Sequence, residues 1–398
     1  MSLPNGWKKV KLGQIMSFKN GLNFSQVSNG KELNFLGVAN FKSRKFISSE
    51  TQLDKIYLAD FPNDDYLLKA NDLVFVRSNG SKDLVGRCVK MNNSFSKTTF
   101  SGFCIRGRLS SSETSADYIL HFIECGFLKD KLRRESRGTN ISNLNQDILD
   151  DFDIMLPPLE EQKKIAATLS VWDSAIEKME KLIEALEEKY QSYVNEFFFE
   201  NQNDKQKLKM GDIFAVRNDR SVATGDMPLY SLTIENGITA KTDRYDRGAL
   251  VKDKDSKKYK IVCDGDIVYN PANLRWGAIG QSKVGHNVVV SPIYEVLYAR
   301  DNCNNSRYLS HYIMSKKMIA FYSSKTEGTL IERKEVKIDQ FLRIDLYIEK
   351  DPVRQKKIAD VLDLHQEEIS NLKQQLENYK KQKQGLMQKL LTGQWRVK

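Results

Sequence analysis

Leu156-Pro157-Pro158-Leu159-Glu160-Glu161-Gln162-Lys163-Lys164-Ile165-Ala166 opens a stretch that runs to Phe199 and comes back near the C-terminus. The Gln-Lys-Lys-Ile-Ala run at Gln162–Ala166 recurs at Gln355–Ala359, an offset of 193 residues in a chain of 398. From there the apolar residues Ile165, Leu169, Trp172, Ile176, Met179, Ile183, Leu186 and Tyr190 alternate in steps of four and three. The second copy follows through Ile358, Leu362, His365, Ile369, Leu372, Leu376 and Tyr379, each matched at the same offset. A seam averaging 3.5 residues over about four heptads makes long helices wrap around a partner, and the simplest partner for each helix is the other. Prolines and acids ahead of the first run, and Asp351-Pro352 ahead of the second, mark helix starts. Gly393, after Leu391-Thr392, marks a stop. His365 and Lys383 interrupt the second seam where the first has Trp172 and Tyr190. They are either tolerated or contacts to a further helix.

The rest of the chain repeats as well. Lys9-Val10-Lys11-Leu12-Gly13 returns as Lys207-Leu208-Lys209-Met210-Gly211, and Asp72-Leu73-Val74-Phe75 as Asp266-Ile267-Val268-Tyr269. Gly138-Thr139 returns as Gly328-Thr329. Four matches kept in order describe one globular domain duplicated, each copy ending in its long helix. Between them the loops diverge, Ser25 to Asp54 against Thr224 to Lys260, as expected where related domains read different ligands. The spans follow as 1–156, helix 157–199, 200–350, helix 351–391 and a tail 392–398. Each helix of about forty residues would be roughly 60 Å long.

Charge locates the expected partner. The net charge is +10, but residues 159–199 hold nine acids and five bases and residues 351–391 six acids and eight bases. The two helices thus sum to −2 and the globular parts carry +12, the excess a phosphate-binding surface requires, although a solvated basic exterior would look the same. Five scattered cysteines without a Cys-x-x-Cys pair predict free thiols, and four histidines outside ligand spacing predict no metal. No apolar run reaches the ~18 residues of a membrane helix and no signal peptide opens the chain, so a cytoplasmic protein is expected.

Catalytic motifs are missing. Asn270-Pro271-Ala272-Asn273 lacks the second proline and the aromatic of an amino-methylating motif, and no Gly-x-x-x-x-Gly-Lys-Ser/Thr phosphate loop occurs. Glu-x-Lys strings at Glu161, Glu187 and Glu332 lack the partners a nuclease needs. Recognition chemistry is better represented. After the strand at Val74 come Arg77, Ser78, Asn79 and Lys82; after Val268 come Asn270, Asn273, Arg275 and Trp276. Arginine to guanine and asparagine to adenine are the pairings that the major groove favours, so these are the base-readout candidates, although turn chemistry enriches the same residue types. Lys129, Lys131, Arg133, Arg134, Arg137, Thr139 and Asn140, with Lys325, Thr326, Thr329 and Arg333 in the second copy, are the phosphate candidates.

The chain resembles the specificity (S) subunits of type I restriction-modification systems, through Leu156–Ala166 ahead of a long helix, Gly13 and Gly211 at the strand entries, and Leu390-Leu391-Thr392-Gly393. The second copy departs from the motif with Asp351-Pro352-Val353-Arg354. The resemblance implies an α+β chain: two mixed α/β target-recognition domains in a pseudo-twofold repeat, separated by an antiparallel coiled-coil helix pair, with the tail returning to the first domain. Each domain would read one half of a bipartite, asymmetric double-stranded DNA target. The helices would act as a ruler for half-sites one to one and a half turns apart, at ~34 Å per turn. The resemblance also implies two methylation (M) subunits, with restriction (R) subunits in the full complex. S-adenosylmethionine, ATP and Mg would sit on those partners, leaving this chain non-catalytic and without a cofactor. A coiled-coil scaffold that does not bind DNA and a self-contained restriction enzyme are the rival readings.

Overall fold

The computed structural model describes residues 3–41, 44–81, 83–92, 97–135, 143–240, 258–300, 305–325 and 335–397. The seam stretches form helices at Leu159–Phe199 and Pro352–Leu391. Pro352 occupies a first-turn position, where a missing N–H costs nothing, and Glu160 and Glu161 complement the dipole of the first helix. The Asp351 carboxylate accepts the Val353 N–H at 2.9 Å and caps the second. That helix stops where Gly393 turns to φ +71°; a Cβ there would come within 2.5 Å of Pro4.

Two compact units divide the chain, residues 1–180 with 374–398 and residues 181–373. Each therefore contains part of each long helix. In the first unit Ile165, Ala166 and Leu169 pack with Met387, Leu390 and Leu391, and farther along Glu180 pairs with Lys380 at 2.9 Å, so the two helix segments run antiparallel. In the second, Glu187 pairs with Lys373 at 2.6 Å while Val194 and Phe198 share a core with Ile358 and Leu362, again antiparallel.

Of the seam residues, Ile165, Leu169, Ile183, Ile358, Leu362, Ile369 and Leu376 are buried, and Trp172, Ile176, Met179, Leu186 and Leu372 are half-buried. A helix pair covers only one side of an apolar residue. Tyr379 lies nearer the surface but sets its ring edge-on to Trp172, 5.9 Å away. The two interruptions have local partners. His365 lies against Tyr193 at 5.2 Å, and the buried Lys383 ion-pairs with Asp173 at 2.5 Å.

The repeated glutamine joins each helix to its domain. Gln162 and Gln355 are both buried. Each amide oxygen accepts a backbone N–H at 2.8 Å from the N-cap of a domain helix, Ser115 in one case and Asn305 in the other. Each amide nitrogen donates to a carbonyl just upstream, of Pro157 at 2.9 Å or Glu349 at 2.7 Å. A buried amide satisfied at both ends restricts the angle at which the helix leaves.

The sheets repeat the duplication in four central strands and one parallel pair. The first unit orders Met16–Asn20, Cys104–Leu109, Leu73–Val76, Cys88–Met91 and Phe46–Ile47 in one sheet; the second orders Phe214–Val216, Glu295–Ala299, Ile267–Tyr269 and Ile279–Gln281. Beside each is a second sheet built on a parallel pair, Lys31–Leu36 with Thr98–Phe100 and Leu229–Thr233 with Val288–Val290. The central strands are buried along their whole length, as a run such as Leu-Val-Phe-Val requires. Lys8–Lys11 pairs with Asp153–Leu156, and Gln206–Lys209 with Asp345–Ile348. The entry glycines leave room where those ribbons turn: a Cβ on Gly13 would sit 3.0 Å from the Cα of Asp150 and one on Gly211 3.1 Å from the Leu342 carbonyl oxygen, both tight contacts.

Candidate nucleic-acid interface

The base-readout candidates sit in matching hairpins. In the first unit the loop joins Leu73–Val76 to Cys88–Met91; in the second it joins Ile267–Tyr269 to Ile279–Gln281. Both hairpins are anchored below by an aspartate at the strand entry. Asp72 takes two bonds from Arg108, at 2.8 and 2.7 Å, and Asp266 takes two from Arg217, at 2.6 and 3.1 Å. Arg108 lies in strand Cys104–Leu109 and Arg217 just past strand Phe214–Val216, so position matching in the sequence would not have paired them. Burial resists these arginine charges, but each carboxylate hydrogen bond outweighs it and raises the guanidinium pKa.

Above the anchor the loop backbones are held and several side chains are free. Arg77 donates its N–H to the Phe103 carbonyl at 2.8 Å and accepts the Leu144 N–H at 2.9 Å. Among the described residues its guanidinium has no hydrogen-bond or ion-pair partner. Asn79 spends its side-chain oxygen on the Ser81 N–H at 2.8 Å, and Asn270 spends its own on the Ala272 N–H at 3.1 Å. These two amides therefore shape turns and keep only their NH₂ groups for a ligand. Arg275 lies 4.3 Å over the ring of Trp276, which is 59% exposed, and its buried Nε has no partner among the described residues. Asn273 holds the loop through its backbone, accepting the Trp276 N–H at 3.0 Å. Lys82 lies outside the described residues.

A helix packs against each loop and carries the phosphate candidates. Gly86 ends the first loop at φ +79°, and a Cβ there would lie 3.1 Å from Leu132 of helix Phe127–Glu135. Gly277 ends the second at φ +92°, its Cβ position 3.2 Å from Ile319 of helix Lys316–Ser324. Lys129 reaches the Asp83 carbonyl at 3.2 Å, within the loop itself. Arg133 is exposed and, among the described residues, pairs with Asp130 at 3.6 Å; Arg134 is also exposed, and Lys325 sits 5.4 Å from the Phe321 ring. Lys131 is committed elsewhere: its ammonium bonds the carbonyl and carboxylate of Asp151 at 2.9 and 3.1 Å and ties its helix to the strand ribbon. Arg137, Thr139, Asn140, Thr326, Thr329 and Arg333 lie outside the described residues, as do the matched Gly138-Thr139 and Gly328-Thr329.

One cluster elsewhere has metal-ligating residue types. His121, Glu124 and Asp173 bring ligand atoms within 4.8 Å of one another. Lys45 reaches Glu124 at 2.9 Å and Asp173 at 2.5 Å, and Lys383 also reaches Asp173. Two ammonium groups thus already neutralise the carboxylates, which makes this a buried ion network. Burial alone would raise Glu124, but the His121 hydrogen bond and the two lysines hold it down at about 2. The cysteines described, Cys88, Cys104, Cys125 and Cys263, are free, and burial pushes the Cys104 thiol up to about 12. Among the described residues no helix is long and apolar enough to cross a membrane.

Residues 4–188 match the family model for the type I restriction modification DNA specificity domain. The chain is 32% identical over 166 residues to the type I restriction enzyme StySPI specificity subunit of Salmonella potsdam, covering 40% of this chain and 35% of that one. The match thus spans about a third of that relative's length. It is 23% identical to the MjaVIII specificity subunit of Methanocaldococcus jannaschii, covering 100% of this chain and 95% of the relative. Its fold is shared with the type I restriction-modification system S subunit of M. genitalium, at a TM-score of 0.59 and 14% identity over 98% of each chain.

Proposed function

We propose that this chain is a specificity subunit of a type I restriction-modification system and reads a bipartite, asymmetric DNA sequence with its two globular units. The observation that carries the reading is the repeated pairing of a hairpin loop, anchored at its strand entry, with a basic helix. Each unit sets an arginine and amide groups on a loop anchored by a buried aspartate paired with an arginine, and packs beside it a helix with exposed lysines or arginines. Base edges are read by the first kind of group and phosphates by the second. Arg77 and Arg275 carry base readout, and Lys129, Arg133, Arg134 and Lys325 carry backbone contact. The excess of +12 outside the long helices supplies the long-range attraction.

The chain acts without catalysis of its own, and directs methylation and restriction subunits that bind S-adenosylmethionine, ATP and Mg. The test starts from the host genome, where mapping methylated adenines defines the candidate target. The full chain should then prefer that duplex over a scrambled one in a competition gel shift, with affinity falling steeply between two salt concentrations. Equal affinity for both duplexes at every salt would leave only the scaffold reading.

A further inference from the structure

In each unit a short turn links the parallel-paired strand to the central sheet. Thr98–Phe100 passes through Ser101, Gly102 and Phe103 into Cys104–Leu109, and Val288–Val290 passes through Ser291, Pro292, Ile293 and Tyr294 into Glu295–Ala299. The turns close with the same bond, Cys104 N–H to the Ser101 carbonyl at 2.8 Å and Tyr294 N–H to the Ser291 carbonyl at 3.1 Å. Strand register agrees, since Gly107 faces Leu73 as Leu297 faces Ile267. Phe103 and Ile293 are therefore one structural position. They are 59% and 64% exposed.

A single exposed apolar side chain is ordinary. Its recurrence at one position of two domains whose loops otherwise differ calls for a cause, and the neighbours supply one. The Phe103 carbonyl accepts the Arg77 N–H at 2.8 Å and the Ser78 N–H at 3.4 Å, so the turn is bonded to the reading loop. Phe103 also lines, with Asn23, Phe24, Ser78 and Asn79, a cleft of about 630 Å³. In the second unit, Glu295 faces Tyr269, which puts Ile293 across from Pro271 at the start of the other reading loop. Pro271 has no N–H, so the tethering bond of the first unit has no counterpart there.

We infer that Phe103 and Ile293 are specificity residues, each making apolar contact with the C5-methyl group of a thymine beside the bases met by the reading loops. This rests on the DNA-reading function proposed above. A phenyl ring and a sec-butyl group offer no hydrogen bond, and the thymine methyl is the apolar feature of the major-groove edge. Hydrogen-bonding loop and apolar turn then divide one half-site between them.

The test uses the full chain and duplexes of the mapped target in which single thymines are replaced by uracil, which removes only the methyl. Wild type should lose about fourfold in affinity at one thymine of each half-site, the worth of one buried methyl. Phe103→Ala should bind thymine and uracil equally at the position in one half-site, Ile293→Ala at the position in the other, and Phe103→Leu should keep part of the discrimination. Unchanged melting temperatures would confirm that the variants fold. Wild type that prefers the target but is indifferent to every uracil substitution overturns the assignment and leaves the DNA-reading function standing. So does a Phe103→Ala loss equal for thymine and uracil, the sign of a wedge between base steps. Wild type with no preference for the target overturns the function itself, and this assignment with it.

Discussion

At the scale of single residues the site divides by what each cation already holds. Arg77 has a fixed backbone and a guanidinium without a described partner, whereas Arg133 and Arg134 stand exposed on a helix. Arg77→Ala should relax one base position of one half-site, with a cost of about 1–3 kcal/mol on the cognate sequence. Arg133→Ala should weaken all sequences alike and lower the salt slope by about one. Binding measured on cognate and single-mismatch duplexes separates the two; identical effects would end the division of roles. Gln162 serves the structure alone, holding the helix to its domain. Gln162→Ala strands the Ser115 N–H and two carbonyls in a buried position, so it should cost about 1–3 kcal/mol in urea unfolding while leaving sequence preference intact.

His311 gives a pH signature. Burial pushes its pKa down to about 4 from 6.5, against the attraction of Asp363 and helped by Lys283 and Arg307. Its ring also bonds the Tyr190 hydroxyl at 2.9 Å, and Gln366 donates to the same hydroxyl. Because the unfolded chain binds the proton more readily, the stabilisation is fully present above about pH 6.5 and is lost as pH falls towards 4. The shift corresponds to about 3 kcal/mol. Urea midpoints of wild type and His311→Gln at pH 7 and 4.5 should show the larger loss in wild type; equal losses would exclude His311 as the source.

At the scale of elements, the long helices and the central strands were legible in the sequence. A 3.5-residue rhythm and an all-apolar run are local signals that burial turns directly into structure. The seam interruptions were legible only as exceptions, because the partners that satisfy Lys383 and His365 are far away in the chain. The reading loops were found through the strands before them, but the turn at Phe103 was not, since nothing marks an exposed apolar residue until its surface is known. Its one trace is the pair of serines, Ser101 and Ser291, separated by the same 190 residues as Gly138 and Gly328.

The helices also show outward features. Val171 and Leu364, matched at the seam offset, are 69% and 67% exposed. If the outer helix faces dock methylation subunits, Val171→Glu should leave stability within about 0.5 kcal/mol of wild type and weaken co-purification with that subunit. Unchanged co-purification for both Val171→Glu and Leu364→Glu would move the docking face elsewhere.

At the scale of the molecule, duplication implies separable reading. Exchange of residues 1–156 for the corresponding domain of a type I specificity subunit should change one half of the methylated sequence and leave the other, as genome-wide mapping of methylated adenines would show. A change in both halves would mean that the units do not read independently. What the sequence could not supply at this scale is the ownership of the helices. Composition and repeat length split the chain at the helix starts, whereas packing gives each unit part of each helix.

The second unit is one continuous stretch, but the first is interrupted by it. The core around Ile165 and Leu169 is completed by Met387, Leu390 and Leu391, and the Arg396 guanidinium closes on Glu161 at 2.6 and 2.8 Å beside the Trp7 indole. During synthesis, then, the domain that emerges first is the one that finishes last. Its apolar helix face is covered only by residues that follow the whole of its duplicate in the chain, so truncation after residue 373 should leave the first core open to water and the second with all of its own residues.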